Sequence, residues 1–289
     1  MNEKLLYDIA GHKIIIKTPD AKVTSRLLHN FNPFRDLSPD YNNILFSFKG
    51  DQSISIPNTV PAEELDLGGI LFRVYLVEDT ITVNMKINEF VHSFQIKETS
   101  DTVISDLTLL HEYESQFLAY IIRSAFGVLS ANRKTLKIHG SVIEKDGKAL
   151  VFLGKSGTGK STHSGLWQQY VPGCRLLNDD EPLIRVMDNG TIRVFGAPWS
   201  GSTPCYINDS AEVAAFVHLY QSQNNELNKI GGLKAFTSIF QSSSVLRSSS
   251  KNRDQIISIV NDILNITPVY RLDNRPDREA VSLTETLID

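Results

Sequence analysis

Eight consecutive residues near the middle of the chain, Gly154-Lys155-Ser156-Gly157-Thr158-Gly159-Lys160-Ser161, fit the pattern G-x-x-x-x-G-K-[ST] of a phosphate-binding loop. The spacing has a chemical reason. A polyphosphate needs several backbone N–H donors turned inward around it, and the glycines reach the left-handed angles that allow this. Lys160 supplies an ammonium for the phosphate oxygens. Ser161 supplies a hydroxyl for Mg²⁺, and Thr162 continues the candidate nucleotide-binding set into the following helix, whose N-terminus favours anions. A second cluster, Asn178-Asp179-Asp180-Glu181, lies just downstream. Of two adjacent carboxylates at a strand end, one can hold a metal and the other can take a proton from an attacking hydroxyl. Standing alone, the same residues read as an exposed acidic turn closed by Pro182. A third candidate is His139, which alone would read as a satisfied core histidine; its closeness to the loop makes it a site candidate.

These residues need elements to hold them. Ala149 to Leu153 is a short apolar run, suited to a buried strand that delivers the loop, and Thr162 to Tyr170 reads as the helix after it. Thr135 to Val142 (TLKIHGSV) reads as one strand carrying His139. The turn signal Asp146-Gly147 would fold it back beside the loop's own strand. Cys174 to Leu177 reads as the strand that ends at the acids. A further hairpin is predicted for Ile184–Met187 and Thr191–Phe195 around Asp188-Asn189-Gly190, with Arg193 as a candidate to face the phosphates. The following loop, Gly196 to Gly201, carries Trp199, either as a pocket wall or as an anchor on the core. Ala211 to Tyr220 is an apolar strand, and Gly231–Ile239 and Asp254–Asn265 read as helices. Pro268–Leu272 reads as a last strand, and Asp277 caps a final helix. The serine-rich stretch Gln241–Lys251 has no periodicity and reads as a mobile loop or lid.

The N-terminal part has a different texture. Lys13–Lys17, Ile44–Phe48, Ile70–Val77, Ile81–Ile87 and Phe90–Ile96 are rich in β-branched and aromatic residues and read as strands. From about Asp106 the apolar residues recur at helical spacing to about Ala131, with Ser105 or Asp106 as the cap. The expected organisation is therefore a β-rich domain over 1–104 and a nucleotide-binding domain over 105–289. The fold class is α/β with α+β character.

Composition narrows the partners. The 289 residues carry a net charge of −4, with 41% hydrophobic and 21% charged residues. That balance is globular and argues against nucleic acid as a partner. No apolar run reaches the ~18 residues of a spanning helix, and the first residues do not read as a secretory signal. No membrane partner is expected, and an oligomer is compatible with the sequence. Cys174 and Cys205 form no metal motif and read as packing residues, so the reducing cytoplasm is the expected location.

Asp179 follows Lys160 by nineteen residues. Ras-like and ATPase chains place their metal-holding acid after another strand, so the usual nucleotide-hydrolase fold is not expected. Taken together, IHGSV, GKSGTGKS and LLNDDEP, in this order, resemble the catalytic core of the HPr kinase/phosphorylase family over roughly Thr135 to Gly201. The PWSG loop and the RPDREAV ending look more like the broad group of HPr-kinase-related proteins. The resemblance implies a P-loop core of the phosphoenolpyruvate carboxykinase type. It also implies ATP and Mg²⁺ as cofactors, His139 as the active-site histidine, and Lys160 as the phosphate-loop lysine. Asp180 would then be the proton acceptor, with Ser161 and Asp179 at the metal. The chain departs from the family where Arg193 stands in place of a metal-binding glutamate and where the glycine-rich substrate-capture segment is not recognisable. The expected activity is phosphoryl transfer from ATP to a hydroxyl of a serine in a protein or peptide, or of a small molecule. The rivals are a non-catalytic nucleotide sensor, which would bind ATP without turnover, and a carboxykinase-like enzyme, which would need further metal ligands and a basic carboxylate pocket. A simple ATPase is a third.

Overall fold

The computed structural model describes residues 3–38, 40–201 and 204–288. The chain forms two compact units, Met1–Ser130 with Leu246–Arg253, and Ala131–Val245 with Asp254–Asp289.

The first unit is an eight-stranded sheet with helices on it. Its strands are β1 (Glu3–Ile9), β2 (His12–Thr18), β3 (Ile44–Lys49), β4 (Glu63–Asp66), β5 (Ile70–Val77), β6 (Thr80–Ile87), β7 (Phe90–Lys97) and β8 (Thr102–Ser105), in the order β1-β2-β3-β8-β7-β6-β5-β4. β2, β3 and β8 run parallel and the remaining pairs antiparallel. Helix α1 (Ala21–Leu27) is capped by the Asp20 carboxylate, which accepts the amides of Lys22 and Val23. Helix α2 (Glu114–Leu129) buries Phe117, Leu118, Ile121, Ile122, Ala125 and Phe126. The Ser115 hydroxyl donates to the Leu27 carbonyl at 2.6 Å and ties the two helices together.

The helix expected to start at Ser105 or Asp106 starts eight or nine residues later. Asp106 is occupied with the Ser93 amide and the His92 ring. The residue that organises the turn is Glu114, whose fully buried carboxyl accepts the amides of Thr108, Leu110 and His111. The helix lies within the first unit, whereas its periodicity had placed it with the residues after 104. Strands β1, β4 and β8 were not expected. β4 reads EELD and is exposed, so it has no alternation to detect, and β8 has four residues.

The second unit contains β9 (Thr135–Lys137), β10 (Gly140–Lys145), β11 (Lys148–Leu153), α3 (Lys160–Tyr170), β12 (Arg175–Asp180), β13 (Leu183–Val186) and β14 (Ile192–Phe195). It continues with β15 (Ser210–Gln221), β16 (Glu226–Ile230), α4 (Gly232–Ser242), α5 (Ser250–Ile266), β17 (Val269–Asn274) and α6 (Arg278–Glu285), the first turn of α5 lying in the first unit. The sheet order is β12-β10-β11-β15-β14-β13-β9, with β17 beside the second half of β15 and β16 outside β17. β11, β15 and β17 run parallel at the centre.

Alternation along β11 divides the core. Val151 and Leu153 pack with Phe216, Ile239, Ile256 and Ile263, from β15, α4 and α5. Leu150 and Phe152 pack with Trp167, Val217, Leu219 and Val281, from α3, β15 and α6. Successive strand residues face opposite layers, so this central strand is apolar on both sides. Asp277 caps α6 through the Ala280 amide, at 3.1 Å.

Two expectations are corrected here. TLKIHGSV is not one strand: it breaks at Ile138-His139 into β9 and β10, which lie far apart in the sheet order. The break arises because the His139 amide leaves the ladder and donates to the Ser242 carbonyl at 2.6 Å, while Ile138 bridges to Ser243. The same contacts overturn the reading of Gln241–Lys251 as a free lid. Ser243 is bridged to Ile138, the Ser244 amide donates to the Lys137 carbonyl at 2.8 Å, and Ser250 onward is helix.

Two tests follow. Glu114→Ala removes the acceptor of three amides in the turn, at about 0.5–1.5 kcal/mol for each lost hydrogen bond. It should lower the Tm of thermal unfolding by several degrees, with Glu114→Gln intermediate. The second test concerns His163 on α3. It is buried against Phe152, and its Nε2 lies 3.3 Å from the Thr284 hydroxyl of α6. Burial pushes its pKa down to about 4. The unfolded chain, with an imidazole near 6.5, takes up a proton that the fold refuses. Its contribution is therefore complete above pH ~6.5 and is lost as pH falls toward 4, amounting to about 3 kcal/mol. Unfolding curves at pH 7 and pH 4.5 should differ less for His163→Gln than for the wild type.

Candidate active site

β11 ends at Leu153 and the chain enters a turn that closes at Gly159, the N-cap of α3. Gly154 has φ +147°, and a Cβ there would lie 2.6 Å from the Thr158 hydroxyl. Gly159 has φ +99° and ψ 22°. Only glycine adopts both without strain. The glycine spacing thus sets the path of the turn and the start of the helix. Thr158 secures it by donating its hydroxyl to the Lys155 carbonyl at 2.8 Å. Gln221, at the end of β15, donates to the Gly157 carbonyl at 3.1 Å.

Lys160 is 8% exposed. Its Nζ donates to the carbonyls of Gly154 (2.9 Å) and Lys155 (3.2 Å), inside its own loop. Burial pushes its pKa below the usual lysine value, and Asp180 and Asp179 oppose that shift. The two acids come from the end of β12, which pairs with β10 in the register Gly140 with Asp180 and Ser141 with Asp179. Ser161 donates its hydroxyl to Asp179 Oδ1 at 3.0 Å. His139 Nδ1 stands 3.2 Å from Asp180 Oδ1. Below them, the buried hydroxyls of Ser141 and Ser164 share a 2.7 Å hydrogen bond that fixes α3 to β10.

His139, Ser156, Gly157, Gly159, Lys160, Ser161, Thr162, Asp179, Asp180 and Gly201 line one cavity of about 350 Å³. Adjacent residues of a regular strand point to opposite faces, yet Asp179 and Asp180 both reach this cavity. The backbone of Asp180 accounts for the difference: its φ is +131°, a region that L residues rarely occupy. Gly201 lies against it. A Cβ there would come within 3.3 Å of the Asp180 Cβ, and the Gly201 amide donates to the Asp179 carbonyl at 2.8 Å.

Gly154, Lys155 and Thr158 shape the loop and hold Lys160; they are not among the cavity-lining residues. Trp199 is an anchor, 5% exposed, with its Nε1 donating to the Glu181 carbonyl at 2.8 Å. Arg193 does not line the cavity either; its guanidinium donates to the carbonyl and hydroxyl of Ser210. Residues not singled out in the sequence also support the site. Lys137 pairs with Glu181 at 2.8 Å, both side chains nearly buried. His218 on β15 is buried and hydrogen-bonds the Ser238 hydroxyl at 2.6 Å. A single histidine inside the apolar run AEVAAFVHLY was the available signal for it.

Among the described residues no three His, Cys, Asp or Glu side chains converge as a metal cage. The Ser161 hydroxyl and the Asp179 carboxylate are a hard-oxygen donor pair. That set fits Mg²⁺, which keeps several waters and uses one or two protein oxygens together with phosphate.

The second unit is thus a mixed α/β fold built around a glycine-rich strand–loop–helix turn, with a lysine, a serine and two carboxylates converging beside it. Residues 113–274 match the family model of SynChlorMet cassette protein ScmC. This is more than half of the chain, and the chain belongs to that family. No curated protein matches it. Among solved structures, it is similar to the HPr(Ser) kinase/phosphatase from Coxiella burnetii, with 13% sequence identity over 53% of this chain and 87% of that one. The TM-score is 0.33. No described helix is long and apolar enough to cross a membrane.

The strained φ gives a direct test. Asp180→Gly should be more stable than Asp180→Ala by about 1–2 kcal/mol in denaturant unfolding. In an ordinary strand position alanine would be the more stable of the two.

Proposed function

We propose that this protein is an ATP-dependent phosphotransferase, related in mechanism to the HPr kinases, that moves the γ-phosphoryl group to a hydroxyl. The observation that carries this reading is the convergence on one cavity of the loop, Lys160, the Ser161–Asp179 pair and the Asp180–His139 pair. An acidic turn without a task would not hold Asp180 at a strained φ, whereas sites that act on substrate commonly do.

In this reading the loop amides and the α3 N-terminus hold the phosphates. Lys160 exchanges the carbonyls of Gly154 and Lys155 for phosphate oxygens and offsets the charge that builds during transfer. Ser161 and Asp179 hold Mg²⁺, which supplies Lewis-acid neutralisation of the phosphate oxygens when bound. Asp180 accepts the proton of the acceptor hydroxyl as the new O–P bond forms and the bond to the leaving diphosphate breaks. His139 orients Asp180. The acceptor is a serine in a protein or peptide, or a small-molecule alcohol, and the reaction belongs in the cytoplasm. Catalysis consists of positioning and charge stabilisation. The chemistry belongs to the second unit.

The test is calorimetry with Mg·ATP together with label transfer from γ-labelled ATP into an extract of the source cells. Lys160→Ala should weaken Mg·ATP binding roughly 100-fold or more. Asp180→Asn should bind within about twofold of wild type and transfer about 10²–10⁴ times more slowly. Unchanged transfer by Asp180→Asn would remove the assigned base. Tight Mg·ATP binding with no label on any acceptor would make the protein a nucleotide sensor instead.

A further inference from the structure

His218 and Ser238 lie outside the cavity but connect its two sides. On β15, His218 is the register partner of Leu153, the last residue before the phosphate loop. It is 8% exposed, and burial, then the charges of Lys160 and Arg271, hold its pKa below the usual histidine value. Its Nδ1 shares a 2.6 Å hydrogen bond with the hydroxyl of Ser238, which is 4% exposed in the middle of α4. One turn on, the Ser242 hydroxyl donates to the Ser238 carbonyl at 2.9 Å. The Ser242 carbonyl in turn accepts the His139 amide at 2.6 Å, and Ser243 bridges to Ile138. His139 then reaches Asp180 at 3.2 Å. The His218–Ser238 link is buried, and the links through Ser242 and His139 are partly buried.

We infer that His218 and Ser238 are positioning residues: they fix α4 as a strut whose C-terminal carbonyl holds the His139 backbone, and with it the imidazole, over Asp180. The physical case rests on the break between β9 and β10. At that break the His139 amide has no strand partner, so its direction is set by the Ser242 carbonyl. That carbonyl is placed in turn by the last two turns of α4. Where α4 lies against the sheet depends in part on apolar packing of Ala235 and Ile239, which is non-directional. Beside the loop, the buried His218–Ser238 hydrogen bond adds a directional constraint on the middle of α4, and the Ser244 amide on the Lys137 carbonyl adds another just beyond its end. The role in catalysis rests on the phosphotransferase reading, but the strut itself is a claim about the fold and is tested without activity.

The experiment measures amide hydrogen exchange at His139 by NMR in the full chain, together with Mg·ATP affinity and label transfer at saturating ATP. Ser238→Ala and His218→Ala should each speed exchange of the His139 amide about tenfold or more. The double variant should be no worse than either alone, because both cut the same link. Ser238→Thr, which keeps the hydroxyl, should restore protection. Transfer should fall about tenfold in both alanine variants, with Mg·ATP affinity within twofold of wild type. A merely structural loss would lower both together. His139 exchange within twofold of wild type in a folded Ser238→Ala protein would overturn the strut. Wild-type protein that transfers no label would instead remove the catalytic reading of the site, and the exchange result would still decide the strut.

Discussion

Two carboxylates that follow each other along a strand cannot ordinarily serve the same cavity, because the pleat sends neighbouring side chains to opposite faces. The site depends on an exception to this rule. Asp179 keeps strand geometry and meets Ser161, while Asp180 takes a left-handed φ and meets His139. The surroundings hold that conformation in place. Strand β10 fixes the register through Gly140, the Gly201 amide seizes the Asp179 carbonyl, and Trp199 anchors the next turn on the Glu181 carbonyl. A strained residue persists where its neighbours over-determine it, and that is the arrangement around Asp180.

Charge balance explains why the acids sit where they do. An ammonium as buried as that of Lys160 is disfavoured in its charged form, and the carboxylates of Asp180 and Asp179 offset that tendency. The loop carbonyls that Lys160 engages provide hydrogen bonds without adding charge. Nearby, the largely buried Lys137 and Glu181 side chains form an ion pair at 2.8 Å.

The layers on either side of β11 hold the elements that flank the loop. On one side, α3 is held by the Ser141–Ser164 hydrogen bond and by Trp167 and His163, both directed at the Thr284 hydroxyl of α6. On the other side, α4 is held by His218. The glycine-rich turn thus runs between a strand buried from Ala149 to Leu153 and a pinned helix, and directed amides need such support to act on a ligand.

Chain neighbours alone settled much of this protein. Glycines at 154, 157 and 159 with Lys160 and Ser161 announce the turn, because left-handed angles and a helix start are local demands. Asp146-Gly147 and Asp188-Asn189-Gly190 announce hairpins, and Asp277 announces a cap, for the same reason. The acids at 179 and 180 were legible as a pair beside the loop. Tertiary structure decided the rest. The break at His139 exists because its amide is captured by Ser242, far along the chain. The start of α2 is set by a buried glutamate that bonds backward to three amides, and β16 is a strand because β17 lies beside it. Hydrogen bonds and packing between distant segments have no period in the sequence. For that reason most residues that line the cavity could be picked out by their spacing, whereas Gly201 and the direction in which Asp180 faces could not.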